Sequence, residues 1–500
     1  MTAADEVASV LDTTPGRTAV EVRDALRSLG RVSITSADVS SILARHPRRF
    51  GAGDATPSRW WLADDLPAPS RAEVPAGTGS STPELYAWQG EAMDAWRRQG
   101  GRGVVEAVTG TGKTMLGVVA AGDELARGGQ VCVLVPTTEL LVQWRHVLDR
   151  HLPSTATVGL LGGGHHTALG RYDVLVAVVN SARAADLRPR RPGGLLVADE
   201  CHRYGTDGNR LALDARFPRR LGLSATYARA DDGHLAWLDP YFGGTCFRMG
   251  YRRAIADGVI ARFSVDLVGV HFTADERDAY DELGCELSRA RAQLIARGHV
   301  SDEPTGSFFT AVVRLARRGH GEGPALARSY LRAMQERRHL LAETPAKTQA
   351  LLGLAPALAV ADRAIVFTQS IVAAEAAATV LRQAGLRAEA THSGLDPKVR
   401  SSVLARFAAG ALDVVSAPQV LDEGVDVPAA DAAVILAASA SRRQMIQRMG
   451  RILRRKPDGR LARFIVVFVD GTIEDPALGA HEGFLGEITE VADIVRPRGI

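Results

Sequence analysis

Two long stretches of the chain carry short apolar runs separated by segments of helical spacing, and the region between them does not. From Leu85 to about Gly250 the apolar runs 103–107, 131–135, 173–179, 194–198 and 220–223 read as strands. Continuous apolar runs, rather than strict alternation, mark strands covered on both faces, so the pattern predicts a parallel sheet sandwiched by helices. A second series follows Pro345, with strands near 364–367, 386–390, 412–416, 432–436 and 463–469. Between the two, 262–272 alternates enough for a strand. Residues 274–343 then turn to charged, Ala/Leu-rich helix without a strand pattern.

Ahead of the first series, 3–12, 18–29 and 36–45 have apolar positions at helical spacing, with Thr18 and Ser36 near their starts as capping residues. Arg48-Arg49-Phe50 and Arg59-Trp60-Trp61-Leu62 then read as a two-stranded wing. The division expected from these patterns is a winged-helix-like module at 1–66, a Pro/Ala/Gly/Ser/Thr-rich linker at 67–83, an α/β lobe at 84–258, and a connecting strand with a helical insertion at 259–345. A second α/β lobe at 346–480 and a C-terminal tail at 481–500 complete it. Arg45, Arg48, Arg49 and Arg59 lie toward the wing, which suits either phosphate contacts or protein docking, while Trp60 and Trp61 read as core.

A length of 500 residues fits about three or four domains. No apolar run approaches the ~18 residues that span a bilayer, and the opening Met-Thr-Ala-Ala-Asp-Glu has neither a charged nor an apolar leader region. A cytoplasmic location without membrane contact is the expectation. Cys132, Cys201, Cys246 and Cys285 are widely spaced, which argues against a zinc ribbon or a cysteine-held iron–sulfur cluster. The net charge of +3 confines any nucleic-acid footprint to local patches. One such patch is the second half of the insertion, where seven arginines face two glutamates between 314 and 338; a solvated helix face is the alternative.

The most specific chemistry lies at 104–114, Val-Val-Glu-Ala-Val-Thr-Gly-Thr-Gly-Lys-Thr, an apolar strand running through a Gly-rich turn into a helix. Thr109, Gly110, Thr111 and Gly112 would cradle phosphates with backbone N–H groups at a positive helix end. Lys113 would reach the β/γ-phosphates, and Thr114 would ligate Mg²⁺. Of 60 Lys plus Arg, only Lys113, Lys347, Lys398 and Lys456 are lysines, so a drift toward arginine has spared the position that needs a compact charge. Asp199 and Glu200 close the buried run 194–198, at the strand end where open α/β sheets bind ligands. Asp199 suits the Mg²⁺ shell and Glu200 the attacking water, with ATP and Mg²⁺ as the implied cofactors. His202 and the hydroxyls of Leu223-Ser224-Ala225-Thr226 are candidates for passing on the γ-phosphate state. The second lobe has no second Gly-Lys-Thr loop, but Gln447, Gly450, Arg451 and Arg454 share one helical face, and two arginines there can meet one γ-phosphate. Nucleic-acid contact is the competing use for the outlying basic residues of 442–463. Asp426, in Glu423-Gly424-Val425-Asp426-Val427-Pro428, is placed to touch ribose or the opposing lobe.

Together these motifs resemble superfamily 2 helicases, the XPB-type DNA repair helicases in particular, from about Leu85 to Asp475. Tyr86-Ala87-Trp88-Gln89 resembles the adenine-reading glutamine motif, Val135-Pro136-Thr137 motif Ia, and Thr391-His392-Ser393-Gly394 with 441–454 the second-lobe motifs. The resemblance implies two RecA-like parallel-sheet lobes with a thumb-like helical insertion, and a DNA-dependent ATPase and helicase moving 3′ to 5′. Ala107, where the general phosphate loop has Gly, shifts the match toward helicase-type ATPases, which commonly carry Ala there. The resemblance departs at Arg229-Ala230-Asp231, which lacks the glutamate of the family's Arg-Glu-Asp element. The alternatives are a motor subunit of a restriction or defence assembly with a nuclease or repair partner, an RNA helicase, or a nucleotide-binding scaffold.

Overall fold

The structure is a computed structural model that describes residues 2–31, 33–45, 50–52, 59–62, 85–229, 231–301, 305–418, 430–436, 453, 459–479 and 482–499. The linker 67–83 therefore lies outside the described residues. The chain forms two compact units, one built from 1–107 with 112–249 and the other from 108–111 with 250–500.

The first unit begins with the helices Ala3–Thr13, Ala19–Ser28 and Ser36–Arg45 and the strands β1 (Arg17–Thr18), β2 (Phe50–Ala52) and β3 (Arg59–Leu62). The three strands pair antiparallel in the order β1-β3-β2. Reciprocal capping boxes start the helices: Thr2 with Asp5, Thr18 with Glu21, and Thr35 with Asp38. The third cap is thus Thr35, one residue before the Ser36 read from sequence. Val7, Leu11, Val22, Leu26, Val39 and Leu43 close on Phe50 and Trp60 in a small core of their own.

The remainder of the unit is an eight-stranded sheet: β4 (Arg102–Ala107), β5 (Val131–Val135), β6 (Val158–Gly162), β7 (His165–His166), β8 (Val174–Val178), β9 (Leu195–Asp199), β10 (Arg219–Ser224) and β11 (Thr245–Met249). Its order is β11-β4-β10-β9-β5-β8-β6-β7, parallel except for β7, which returns antiparallel on β6. The all-parallel expectation is corrected at that edge, because a tight turn through Gly163-Gly164 can only make a hairpin. The interior strands β5, β8 and β9 are buried along their whole length, as their apolar runs require. The N-terminal module touches this sheet where the Trp60 ring lies 5.0 Å from that of His166.

In the second unit seven strands form an all-parallel sheet in the order β14-β15-β13-β16-β17-β12-β18. They are β12 (Phe263–Val270), β13 (Ala364–Phe367), β14 (Ala388–Ala390), β15 (Val414–Ala417), β16 (Ala432–Ile435), β17 (Ala462–Val469) and β18 (Ile494–Gly499). Two sequence expectations change here. The strand read as a connector, β12, is an inner strand of this sheet, and the residues read as a tail supply the helix Glu482–Thr489 and the edge strand β18. Charge sets that corner. Buried Asp266 on β12 pairs with Arg463 of β17 at 2.6 Å, with Arg496 of β18 at 3.7 Å on its other side. The helices Ala274–Ala296, Thr305–Ala316 and Glu322–Glu343 form the insertion, with a separate core around Leu294, Phe308, Val312 and Ala327.

Candidate nucleotide site

Strand β4 ends at buried Ala107, and the chain turns through 108–112 into the helix Lys113–Ala126. Gly112, which has no side chain to cap with, occupies the helix N-cap in the left-handed region at φ 84°. The N-terminus of a fourteen-residue helix therefore follows the loop directly, where helix ends favour anions. Three hydrogen bonds hold the loop. Thr111 Oγ1 donates to the Val108 carbonyl at 2.8 Å, Lys113 Nζ to the Ala107 carbonyl at 2.7 Å, and Gln89 Nε2 to the Gly112 carbonyl at 3.0 Å. Gln89 Oε1 also accepts from Tyr86 N at 2.9 Å. The buried glutamine thus ties the loop, through Nε2, to the start of its own helix, through Oε1.

Asp199 ends β9, which is separated from β4 by β10 alone. Its Oδ2 accepts a hydrogen bond from Trp144 Nε1 at 2.7 Å and its Oδ1 one from the backbone of Glu200 at 3.0 Å. Trp144 belongs to the helix Thr138–His151 and was not a sequence candidate. Its ring fits because position 117 is glycine; a Cβ there would meet the indole at 2.5 Å. Burial raises the Asp199 carboxyl, with the Trp144 bond and the Lys113 charge opposing. Burial likewise lowers the Lys113 ammonium, against the fields of Glu200 and Asp199. Each charge therefore favours the ionised form of the other. Glu200 has φ 48°, a left-handed conformation uncommon for a residue with a Cβ, immediately after a buried strand.

A polar chain leads away from Asp199 and Glu200. His202 Nδ1 lies 3.0 Å from Ser224 Oγ and 3.4 Å from Glu200 Oε2. Ser224 Oγ accepts from Thr226 N at 3.1 Å. Arg229 donates from Nη1 to the His202 carbonyl at 2.6 Å and grips Asp231 with Nε and Nη2. Glu106, which sequence reasoning passed over, accepts from Tyr227 N at 2.9 Å and pairs with Arg248 at 3.1 Å. The structure therefore places Gln89, Gly112, Lys113, Thr114, Asp199, Glu200, His202 and Ser224 in one unit. Asp426, Gln447, Arg451 and Arg454 lie outside the described residues, as does Ala230. Within 441–454 the described residue is Leu453, buried, with its carbonyl accepting from Ala261 N at 2.8 Å.

The donor set fits a nucleotide with Mg²⁺: a glycine-capped helix N-terminus and an ammonium for phosphates, and carboxylate and hydroxyl oxygens for a hard cation. Among the described residues no group of three His, Cys, Asp or Glu is placed to hold a metal ion. No helix of the described residues is long and apolar enough to cross a membrane.

Two sheets built on the parallel RecA-like plan, one carrying this phosphate loop, define an ATP-hydrolysing motor. Residues 346–456 match the family described as Helicase conserved C-terminal domain, and residues 82–229 match Type III restriction enzyme, res subunit. The chain is similar to superfamily 2 helicases, with XPB/Rad25-like and restriction-enzyme-like relatives. It is 29% identical over 395 residues to the DNA 3'-5' translocase XPB2 of Sulfurisphaera tokodaii, covering 78% of this chain and 83% of that protein. It is 28% identical to the Haloarcula marismortui putative DNA 3'-5' helicase Rad25 over 78% of this chain, and the match spans about half (53%) of that relative. A variant of S. cerevisiae Dbp5 bound to RNA and ADP BeF3 shares the fold at a TM-score of 0.52 and 14% identity, covering 83% of this chain and 90% of that one.

Proposed function

We propose that the protein is an ATP-dependent DNA translocase that moves 3′ to 5′ on a strand. The carrying observation is the Lys113–Asp199–Glu200 group, held by Trp144 and by loop bonds at one end of a parallel sheet. On this reading 109–114 hold the triphosphate, Gln89 reads the adenine or fixes the loop that does, and Thr114 and Asp199 hold Mg²⁺. When bound, Mg²⁺ neutralises charge on the β- and γ-oxygens. Glu200 orients the attacking water, and His202, Ser224 and Arg229 carry its state outward. Asp426, Gln447, Arg451 and Arg454 are proposed from the sequence alone to act on the same nucleotide.

We read the N-terminal module, three helices with a β1-β3-β2 antiparallel sheet, as a winged helix and assign it to target engagement. The DNA preference draws on the two relatives named as DNA enzymes, and a cytoplasmic setting goes with it. A second reading has its own support: the match of 82–229 to a restriction-enzyme subunit favours a motor that works beside a separate nuclease. ATPase rates with single-stranded DNA, duplex DNA and RNA decide the substrate, and displacement of a roadblock from either end of a strand decides the polarity. Greater stimulation by RNA than by DNA overturns the proposal. Co-purification with a nuclease would favour the second reading.

A further inference from the structure

The segment after Asp231 carries a surface that ATP chemistry does not use. Residues His234–Leu238 form a single π-helical turn, a wide turn that shifts side chains out of the ordinary helical rhythm and recurs at functional positions. Here Leu238 is fully buried while Leu235 and Trp237 are 58% and 39% exposed. Asp232, which leads into the turn, has φ 53°, a second non-glycine left-handed residue. The Arg229–Asp231 fork holds its start.

Across from the turn, the guanidinium of Arg210 lies 4.1 Å from the centroid of the Trp237 ring, and Leu211 beside it is 61% exposed. An indole grouped with exposed leucines and topped by an arginine is a contact patch rather than scattered apolar surface. Arg210 and Arg183, whose Nη1 lies 3.1 Å from where a Cβ on Gly208 would sit, are its cations, against Asp207 at 3.4 Å from Arg210 and the exposed Asp231 and Asp232 ahead of the turn. With the guanidinium over the indole, the exposed part of the ring offers a flat aromatic surface beside a cation. An apolar helix of a protein partner would need a broader surface free of that arginine.

We propose that Trp237, backed by Arg210, is a stacking platform for a base of a single DNA strand. The inference rests on the translocase reading above. Stacking on an aromatic face is tolerant of sequence, as a motor that walks needs, and the arginine adds attraction for both base and phosphate. The platform is joined to the ATP site through one described chain: Trp237 on the turn, Asp231, Arg229, and the carbonyl of His202 beside Glu200. Nucleotide state can thereby be felt at the base without a contact to the phosphate loop.

Fluorescence anisotropy on the full chain, with a fifteen-nucleotide oligothymidine and the same strand made abasic, provides the test. Trp237→Ala weakens binding of oligothymidine about 5- to 100-fold, whereas Trp237→Phe, which keeps a ring, stays within about threefold. The parental protein binds the abasic strand as weakly as Trp237→Ala binds oligothymidine, and the two losses do not add. Unchanged affinity in Trp237→Ala, with a melting curve like the parent's, overturns the platform. So does a parental protein that binds both strands equally, or a Trp237→Ala protein that loses only a co-purifying protein. A parental protein that binds oligothymidine but not through Trp237 leaves the translocase reading standing; one that neither binds nor is stimulated by any DNA overturns that reading as well.

Discussion

At the scale of single residues, gripping phosphate and hydrolysing it are separable. Lys113→Ala removes the ammonium proposed to reach the phosphates, and both ATP binding and turnover are expected to fall. Glu200→Gln leaves the loop and its three hydrogen bonds intact, so ATP binding persists while hydrolysis drops by about 10²- to 10⁴-fold. Equilibrium binding of a fluorescent ATP analogue beside steady-state phosphate release separates the two, and a Glu200→Gln protein that turns over normally would remove Glu200 from its assigned role. Trp144 acts through Asp199. Trp144→Phe keeps the ring over Gly117 but deletes the Nε1–H bond, and the Mg²⁺ concentration for half-maximal ATPase should rise about 10- to 100-fold. Ala230 is a sequence-level difference with its own consequence. Without the family's glutamate at that point, pulling on a strand and parting a duplex should come apart, and Ala230→Glu is expected to improve strand displacement on a 3′-tailed duplex without raising ATPase. Efficient displacement by the unmodified chain would show that another group, such as Asp231, does that work.

At the scale of elements, the joint between the helical insertion and the second sheet is made of buried polar contacts. Lys347, at the start of the helix Pro345–Ala359, meets Glu474 at 2.5 Å with 1% and 5% of the side chains exposed. Nearby, Arg277 Nη2 donates to the Asp470 carbonyl at 2.6 Å and Ile473 N to Tyr280 Oη at 2.9 Å, tying the first insertion helix to the loop after β17. Burial lowers the Lys347 ammonium and Glu474 opposes that, so the lysine keeps its charge because of its partner. Removing one partner leaves a charge in the interior. Lys347→Met should cost about 3–5 kcal/mol, whereas Lys347→Met with Glu474→Leu should return close to the parent's stability. Urea unfolding of both variants tests this, and a single variant as stable as the double would show that water reaches the pair.

At the scale of the whole chain, the N-terminal module has its own core yet touches the first sheet through Trp60 and His166. Deleting residues 1–66 is expected to leave a folded ATPase, because the caps and apolar residues of the motor sheets come from other parts of the chain. One aromatic contact of this kind is worth about 1 kcal/mol, so the melting temperature should move by a few degrees at most. Loss of all ATPase in a well-folded truncation would make the module part of the motor.

Several features could be read from the chain alone because each is local. The runs at 131–135, 174–178 and 364–367 are apolar enough to be buried on both faces, and they appear as strands at or near the expected residues. The phosphate loop was equally legible, since glycine, lysine and threonine at fixed spacing encode a turn, a charge and a helix start together. Other features depended on residues far apart in sequence. β18 contains Arg496, Pro497 and Arg498, a poor strand by composition; it is one because an edge position tolerates proline and because Asp266 lies beside Arg496 across the ladder. β12 is an inner strand because that same buried aspartate also meets Arg463. Trp144 looks in sequence like any apolar helix residue, and it bonds the Asp199 carboxylate because the absence of a Cβ at Gly117 lets its ring reach it. The sequence by itself determined what can be settled within a few neighbouring residues, namely apolar runs, caps and the phosphate turn. Tertiary structure decided what depends on the pairing of distant polar groups, since a buried charge is tolerable only where the fold supplies its partner.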